Sequence, residues 1–87
     1  MVLNSTPVPL TEAIPGQVVR VQTLTGPGRA VRLRLASLGI RPGARLTVLA
    51  RGPGGPLLLE VEGCRVALGR GLARRILVLP EPQGSQP

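Results

Sequence analysis

The chain has 87 residues, a net charge of +7, and no Phe, Tyr, Trp or His. That length makes one domain at most, which buries only about 60% of its unfolded surface and has little room for a deep enzyme pocket. Without His the usual general base near neutral pH is missing, and without aromatics there is no platform for stacking single-stranded bases.

Residues 1–9 mix Asn, Ser, Thr and two prolines and read as a flexible N-terminal segment. Leu10 to Ile14 gives a single helical turn, capped near Thr11 and stopped by Pro15-Gly16. Gln17 to Leu24 reads as a strand, with Val19 and Val21 on one face and Arg20 and Gln22 on the other. Thr25 to Arg29 is a loop. Ala30 to Leu38 reads as a short helix whose stripe Val31, Leu35, Leu38 faces the core. Gly39 sits where a helix C-cap needs positive φ, and Ile40 can fold back on the last turn. Pro42-Gly43 then favours a tight turn.

Arg45 to Arg51 alternates, with Leu46, Val48 and Ala50 on one face. Gly52-Pro53-Gly54-Gly55-Pro56 is a hairpin loop. Leu57 to Glu62 follows, with Leu57, Leu59 and Val61 inward and Glu60 and Glu62 outward. Gly63 turns the chain into Cys64 to Leu68, with Val66 and Leu68 inward and Cys64 acting as a small hydrophobe. Gly69-Arg70-Gly71 allows a turn, and Leu72 to Arg74 a single helical or 3₁₀ turn. Arg75 to Leu79 makes a fifth strand. Residues 80–87 have no apolar anchor and read as a disordered tail, leaving 10–79 as the domain.

Five short strands with one short helix after the first give a mainly β fold, a small SH3-like barrel. Closure would hide the strand edges. An OB-fold fits less well, because it places its helix between the third and fourth strands.

No catalytic constellation is present, so the chain is read as a non-enzyme. The GPGGP loop lacks the Lys-Ser/Thr and the following helix of a phosphate-binding loop. Glu60 and Glu62 have no His or Cys partner to complete a metal set, and a lone Cys64 supplies neither a disulfide nor a ligand group. No cofactor, metal or membrane span is expected. The start of the chain has neither a basic n-region nor an apolar h-region, so a cytoplasmic protein is expected.

The charge has two readings. All eleven basic residues are arginine. They suit an oppositely charged partner, or they reflect a composition rich in Arg, Ala, Gly and Pro. Leu33 cannot share the helix stripe and lies between Arg32 and Arg34, a pattern that suits a docking spot. Arg32, Leu33, Arg34, Leu35 and Leu38 are the partner-binding candidates. Leu49, Leu58 and Leu77, on the outward phase of their strands, form a second apolar patch for a homo-oligomer or for the partner.

Four pieces occur in register: Pro9-Leu10-Thr11-Glu12 with Pro15-Gly16; Leu35 to Gly43 (LASLGIRPG); Gly52 to Leu57; and Val66 to Arg70 followed by Ala73 and Ile76-Leu77-Val78. In that order the chain resembles the FeoA family of bacterial ferrous iron transport, from Leu10 to Leu79. The resemblance implies an SH3-like fold and a non-catalytic cytoplasmic accessory. Its partner would be FeoB, the membrane permease with a GTPase domain. FeoA-like domains also occur fused to metal-dependent repressors. Gly69-Arg70-Gly71 replaces the residues with which the family begins a short helix, so an irregular turn is expected there. The competing reading is a small basic barrel that binds RNA or DNA, supported by the charge and by the Gly16 to Val21 start, and opposed by the lack of aromatics.

Overall fold

Alternating aliphatic residues fix which side of each strand faces in. Val19 and Val21, Leu46 and Val48, Leu57, Leu59 and Val61, and Ile76 and Val78 are all buried. The computed structural model describes residues 6–26 and 28–81. Within them run β1 (Val8–Pro9), a 3₁₀ turn (Leu10–Glu12), β2 (Val18–Leu24), α1 (Arg29–Ser37), β3 (Arg45–Arg51), β4 (Leu57–Val61), β5 (Cys64–Leu68), α2 (Arg70–Ala73) and β6 (Ile76–Pro80). The strands make one antiparallel sheet in the order β1-β6-β2-β3-β4-β5. This is the small SH3-like barrel expected, with five main strands and the helix after the first of them. In hydrogen-bond order β1 and β5 stand at the two edges of the sheet.

The core is wholly aliphatic. Leu10 and Ala13 from the N-terminal turn, Leu35 from α1, Ala73 from α2 and Ile40 after α1 join the strand residues in one cluster. No buried polar or charged residue occurs among the described residues. The interior therefore rests on burial of hydrocarbon, without aromatic pairs or a polar network.

Two bulges explain where simple alternation fails. In β2 the register shifts between Val21 and Thr23, so the inward phase moves and Leu24 is buried. In β3 it shifts between Val48 and Ala50, and Ala50, expected inward, is exposed. An extra residue in one strand reverses the facing of everything after it.

The segment after α1 folds as its residues dictate. Ile40 N–H donates to Leu35 O at 2.9 Å and Gly39 N–H donates to Ala36 O at 2.9 Å. These are the two bonds of a Schellman cap, with Gly39 at φ +91°. The cap's hydrophobic contact is made by buried Leu35 and Ile40. Arg41 to Ala44 then make a turn closed by Ala44 N–H to Arg41 O at 2.9 Å, with Pro42 and Gly43 at its centre. Gly43 N–H donates to Val21 O, and Val21 N–H to Ala44 O, both at 2.8 Å, so this turn is stitched to β2.

Several expectations are corrected. Val31 and Leu38, expected as core beside Leu35, are 36% and 41% exposed. They lie about one turn to either side of Leu35, and this nine-residue helix enters the core through Leu35, in its last turn, alone. Glu62 is not on the strand face; at φ +52° it shares a two-residue turn with Gly63, between paired Val61 and Cys64. Such a turn needs both central residues at positive φ to match strand twist. Cys64 is exposed, since it follows that turn on an edge strand, where only its partner Val61 is in the core. Gly69-Arg70-Gly71 does not give an irregular turn; Gly69 is the N-cap of α2.

The domain is also wider than 10–79. Val8 and Pro9, assigned to the flexible segment, pair with Val78 and Leu77. Pro80 pairs with Val19, and Glu81 N–H donates to Val18 O at 2.8 Å. The rest of the expected N-terminal segment and tail, 1–5 and 82–87, falls outside the described residues, apart from Thr6 and Pro7. Glu81 also resolves a charge conflict. Arg20 and Arg45 are direct cross-strand partners, an arrangement that repels. The Glu81 carboxylate meets Arg20 at 2.7 Å and Arg45 at 3.6 Å.

Two stability measurements follow. A Cβ on Gly39 would lie 2.8 Å from Val61 Cγ1, whereas one on Gly43 (φ +93°) meets nothing within 4 Å. Gly43→Ala should cost about 1–2 kcal/mol for the left-handed backbone, and Gly39→Ala roughly 1–3 kcal/mol more, read from urea midpoints. Equal losses would show that the Val61 contact yields freely. Glu81→Ala should cost about 0.5–1 kcal/mol, shrinking at high salt, because its ion pairs are partly solvated. A loss that salt leaves unchanged would contradict the electrostatic role.

Candidate interaction site

Helix α1 is the most charged element of the chain and is held by few contacts. It carries Arg29, Arg32 and Arg34 and no acidic residue. The side chains of those three arginines make no ion pair or hydrogen bond among the described residues. Others are committed. Arg20 serves Glu81 and Gly43 O, Arg45 serves Glu81, and Arg51 donates to Thr11 O at 2.8 Å and Ala13 O at 2.9 Å. The charge thus includes arginines that tie the fold together and arginines that project from α1.

The Schellman cap sets the rotation of α1. With Leu35 1% exposed and pointing into the core, Leu33 stands nearly opposite, since successive residues advance about 100° round the axis. Leu33 is 60% exposed, the most exposed of the large aliphatic residues described. Arg32 and Ala36 fall on one flank of this crest. Arg34, Leu38 and Val31 fall on the other.

The first flank borders a groove of about 280 Å³, lined by Thr23, Leu24, Arg32, Leu33, Ala36, Arg41 and Pro42. Its walls are mostly hydrocarbon, with Arg32 and Arg41 as its charged members. A second hollow, of about 630 Å³, lies between the Arg41 to Ala44 turn and the β4–β5 hairpin. It is lined by backbone and by Arg41, Arg45, Thr47, Glu60 and Glu62. Arg41 reaches Glu62 only at 4.0 Å there, and both side chains are well exposed. Among the described residues no three His, Cys, Asp or Glu side chains are grouped so as to hold a metal ion, and no helix is long and apolar enough to cross a membrane.

The expected site residues are therefore only partly brought together. Arg32 and Leu33 share the groove, whereas Arg34 and Leu38 lie on the far flank. Leu35 is corrected: it is the anchor of the helix and is buried away from any partner. In the second expected patch, Leu49, Leu58 and Leu77 are all half-buried. Leu58 neighbours Ala50 and Ala67, and Leu77 neighbours Pro9 and Thr23, two strands away from β3. The pairings thus place Leu77 apart from the other two. Sequence reasoning missed Thr23, Leu24, Ala36, Arg41 and Pro42. The available signal was the fixed Pro42 turn next to the helix cap. Leu24 was hidden by the β2 bulge.

Comparisons with known proteins agree with this architecture. The model of the FeoA domain matches residues 8–80. A protein of Methanocaldococcus jannaschii named as Fe(2+) transport protein A is 36% identical over 78 residues, covering 90% of this chain and 93% of that one. A crystal structure described as iron uptake regulatory protein (FeoA) superposes with a TM-score of 0.80 at 41% identity, covering 87% of this chain and all of the other. A manganese-dependent transcriptional repressor in complex with manganese gives a TM-score of 0.80 at 26% identity, but the match spans only 38% of that longer chain. The family match over 8–80, the relative aligned nearly end to end, and the shared fold lead to one conclusion: this chain belongs to the FeoA domain family of ferrous iron transport.

Proposed function

We propose that this chain is a non-catalytic cytoplasmic accessory of ferrous iron uptake that docks on a FeoB-type membrane permease through the outer face of α1. Family membership supports the iron-transport setting. The observation that carries the docking face is Leu33, 60% exposed between two arginines that have no partner among the described residues. A large aliphatic side chain set among guanidinium groups is the composition that interface hot spots favour. The effect on the permease is exerted by contact, since no group among the described residues is arranged to make or break a bond.

The competing reading, a basic barrel that binds RNA or DNA, draws on the same arginines. It lacks any aromatic platform, since the chain has no Phe, Tyr or Trp.

The test is retention of the full chain on a FeoB-type permease, with ferrous iron uptake measured in a deletion strain complemented by each variant. Wild type should be retained. Leu33→Asp should bind roughly tenfold or more weakly and fail to restore uptake. Its thermal midpoint should stay near that of wild type, because the side chain is exposed. Absence of wild-type binding, together with normal uptake in the deletion strain, would overturn the proposal.

A further inference from the structure

We propose that the groove between α1 and the Arg41-Pro42 turn takes an aliphatic side chain carried on an acidic segment of a partner protein, with Arg32 and Arg41 receiving carboxylates at its rim. The inference rests on the docking reading above. It adds which flank of α1 is used and what chemistry fills it.

The lining of the groove, more than its size, favours an anchor over a free ligand. At about 280 Å³ it sits at the small end of small-molecule pockets, roughly 300–1,000 Å³. Its walls are Leu24, Leu33, Ala36, Pro42 and the Thr23 side. Hydrocarbon on that scale suits one branched aliphatic side chain. A phosphate backbone could pair with Arg32 and Arg41 but would leave the hydrocarbon walls unfilled, and a nucleic-acid base would find no aromatic face among them.

The rim selects the sign of the partner. Arg29 and Arg32 are three residues apart in the first turn of α1, beside the positive end of the helix dipole and with no carboxylate on the helix. Like charges at that spacing repel, and the dipole disfavours cations at this end. An arriving carboxylate relieves both costs. Arg41 is held only by exposed contacts: its Nη1 donates to Ala36 O at 3.3 Å, and its one acidic neighbour, Glu62, is 4.0 Å away with both side chains solvated. Such exposed pairs are worth little and exchange readily.

A second copy of this chain is a poor occupant. The chain has four acidic residues in all. Glu81 is engaged by Arg20 and Arg45, and Glu62 stands beside Arg41 itself. The other two, Glu12 and Glu60, stand against a net charge of +7, so an acidic partner protein supplies charge complementarity better than a second copy.

The experiment uses the full chain labelled with ¹⁵N and three probes: a synthetic amphipathic peptide of Leu and Glu, the same peptide with every Glu replaced by Gln, and a single-stranded DNA oligonucleotide. The Leu/Glu peptide should shift the amides of Leu24, Leu33 and Ala36 and bind several-fold more weakly at high salt. Arg32→Glu should weaken that binding about tenfold, while Arg34→Glu on the far flank should have a much smaller effect. Arg41→Gln, which keeps a neutral polar side chain, gives a second reading if Arg32→Glu perturbs the helix. Equal affinity of the Gln peptide, equal damage by Arg34→Glu, the same shifts from the oligonucleotide at higher affinity, or no shift at about 1 mM acidic peptide would each overturn the assignment.

The permease separates this inference from the docking reading. If Arg32→Glu and Arg41→Gln are retained like wild type while Leu33→Asp is lost, docking stands and the acidic occupant falls. If the permease does not bind but the acidic peptide fills the groove, the groove chemistry stands and the docking reading falls.

Discussion

The bond from Ile40 N–H to Leu35 O, 2.9 Å long, is the constraint on which the rest depends. It closes α1, places Gly39 in the left-handed region, and drives Ile40 back into the core beside Leu35. A nine-residue helix is too short to persist alone in water. It survives here because two apolar side chains, Leu35 in its last turn and Ile40 just past its cap, are sunk into the barrel. The same closure fixes the rotation of the helix, so Leu33 must stand outward. The path of the chain after the cap is equally fixed. The Pro42-Gly43 turn bonds to Val21, and this sets one wall of the groove that Leu33 overhangs. The hydrogen bonds of the cap thus lead directly to the shape of the surface offered to a partner.

Charge is distributed by the same economy. A chain with eleven arginines and four glutamates cannot pair most of its cations. The fold places Glu81 between the two arginines that β2 and β3 force together. It uses Arg51 as a donor to carbonyls of the N-terminal turn. The arginine side chains of α1 make no ion pair or hydrogen bond among the described residues. Arginine in general is thus not the signature of the site; the arginines that project beside an exposed leucine are.

Most of the architecture is legible in the residues because it rests on short-range rules. Gly39, Ile40 and Pro42-Gly43 each specify one local geometry, and all of them form. The strands from Leu57 and from Ile76 keep their period of two and were readable throughout. What escaped depends on neighbours in space. The bulges at Gln22 and Leu49 come from pairing with β6 and β4, so the reversed facing of Leu24 and Ala50 could not be seen along the chain. Val31 and Leu38 share a stripe with Leu35, yet how much of a stripe is buried depends on how the helix meets the sheet. Leu33 and Arg32 could be picked out because alternation of Arg and Leu is visible in sequence. The groove beside them could not, since its far wall comes from Thr23, Leu24 and Pro42, distant along the chain.

Native-state hydrogen exchange at the amide of Ile40 tests the central claim most directly. If the cap ties α1 to the barrel, this amide should open only with the whole domain, at the same free energy as the amide of Val21 in β2. Exchange at Ile40 that is fast, and independent of denaturant while Val21 remains protected, would show that the helix end frays on its own. The outward placement of Leu33 would then lose its structural basis.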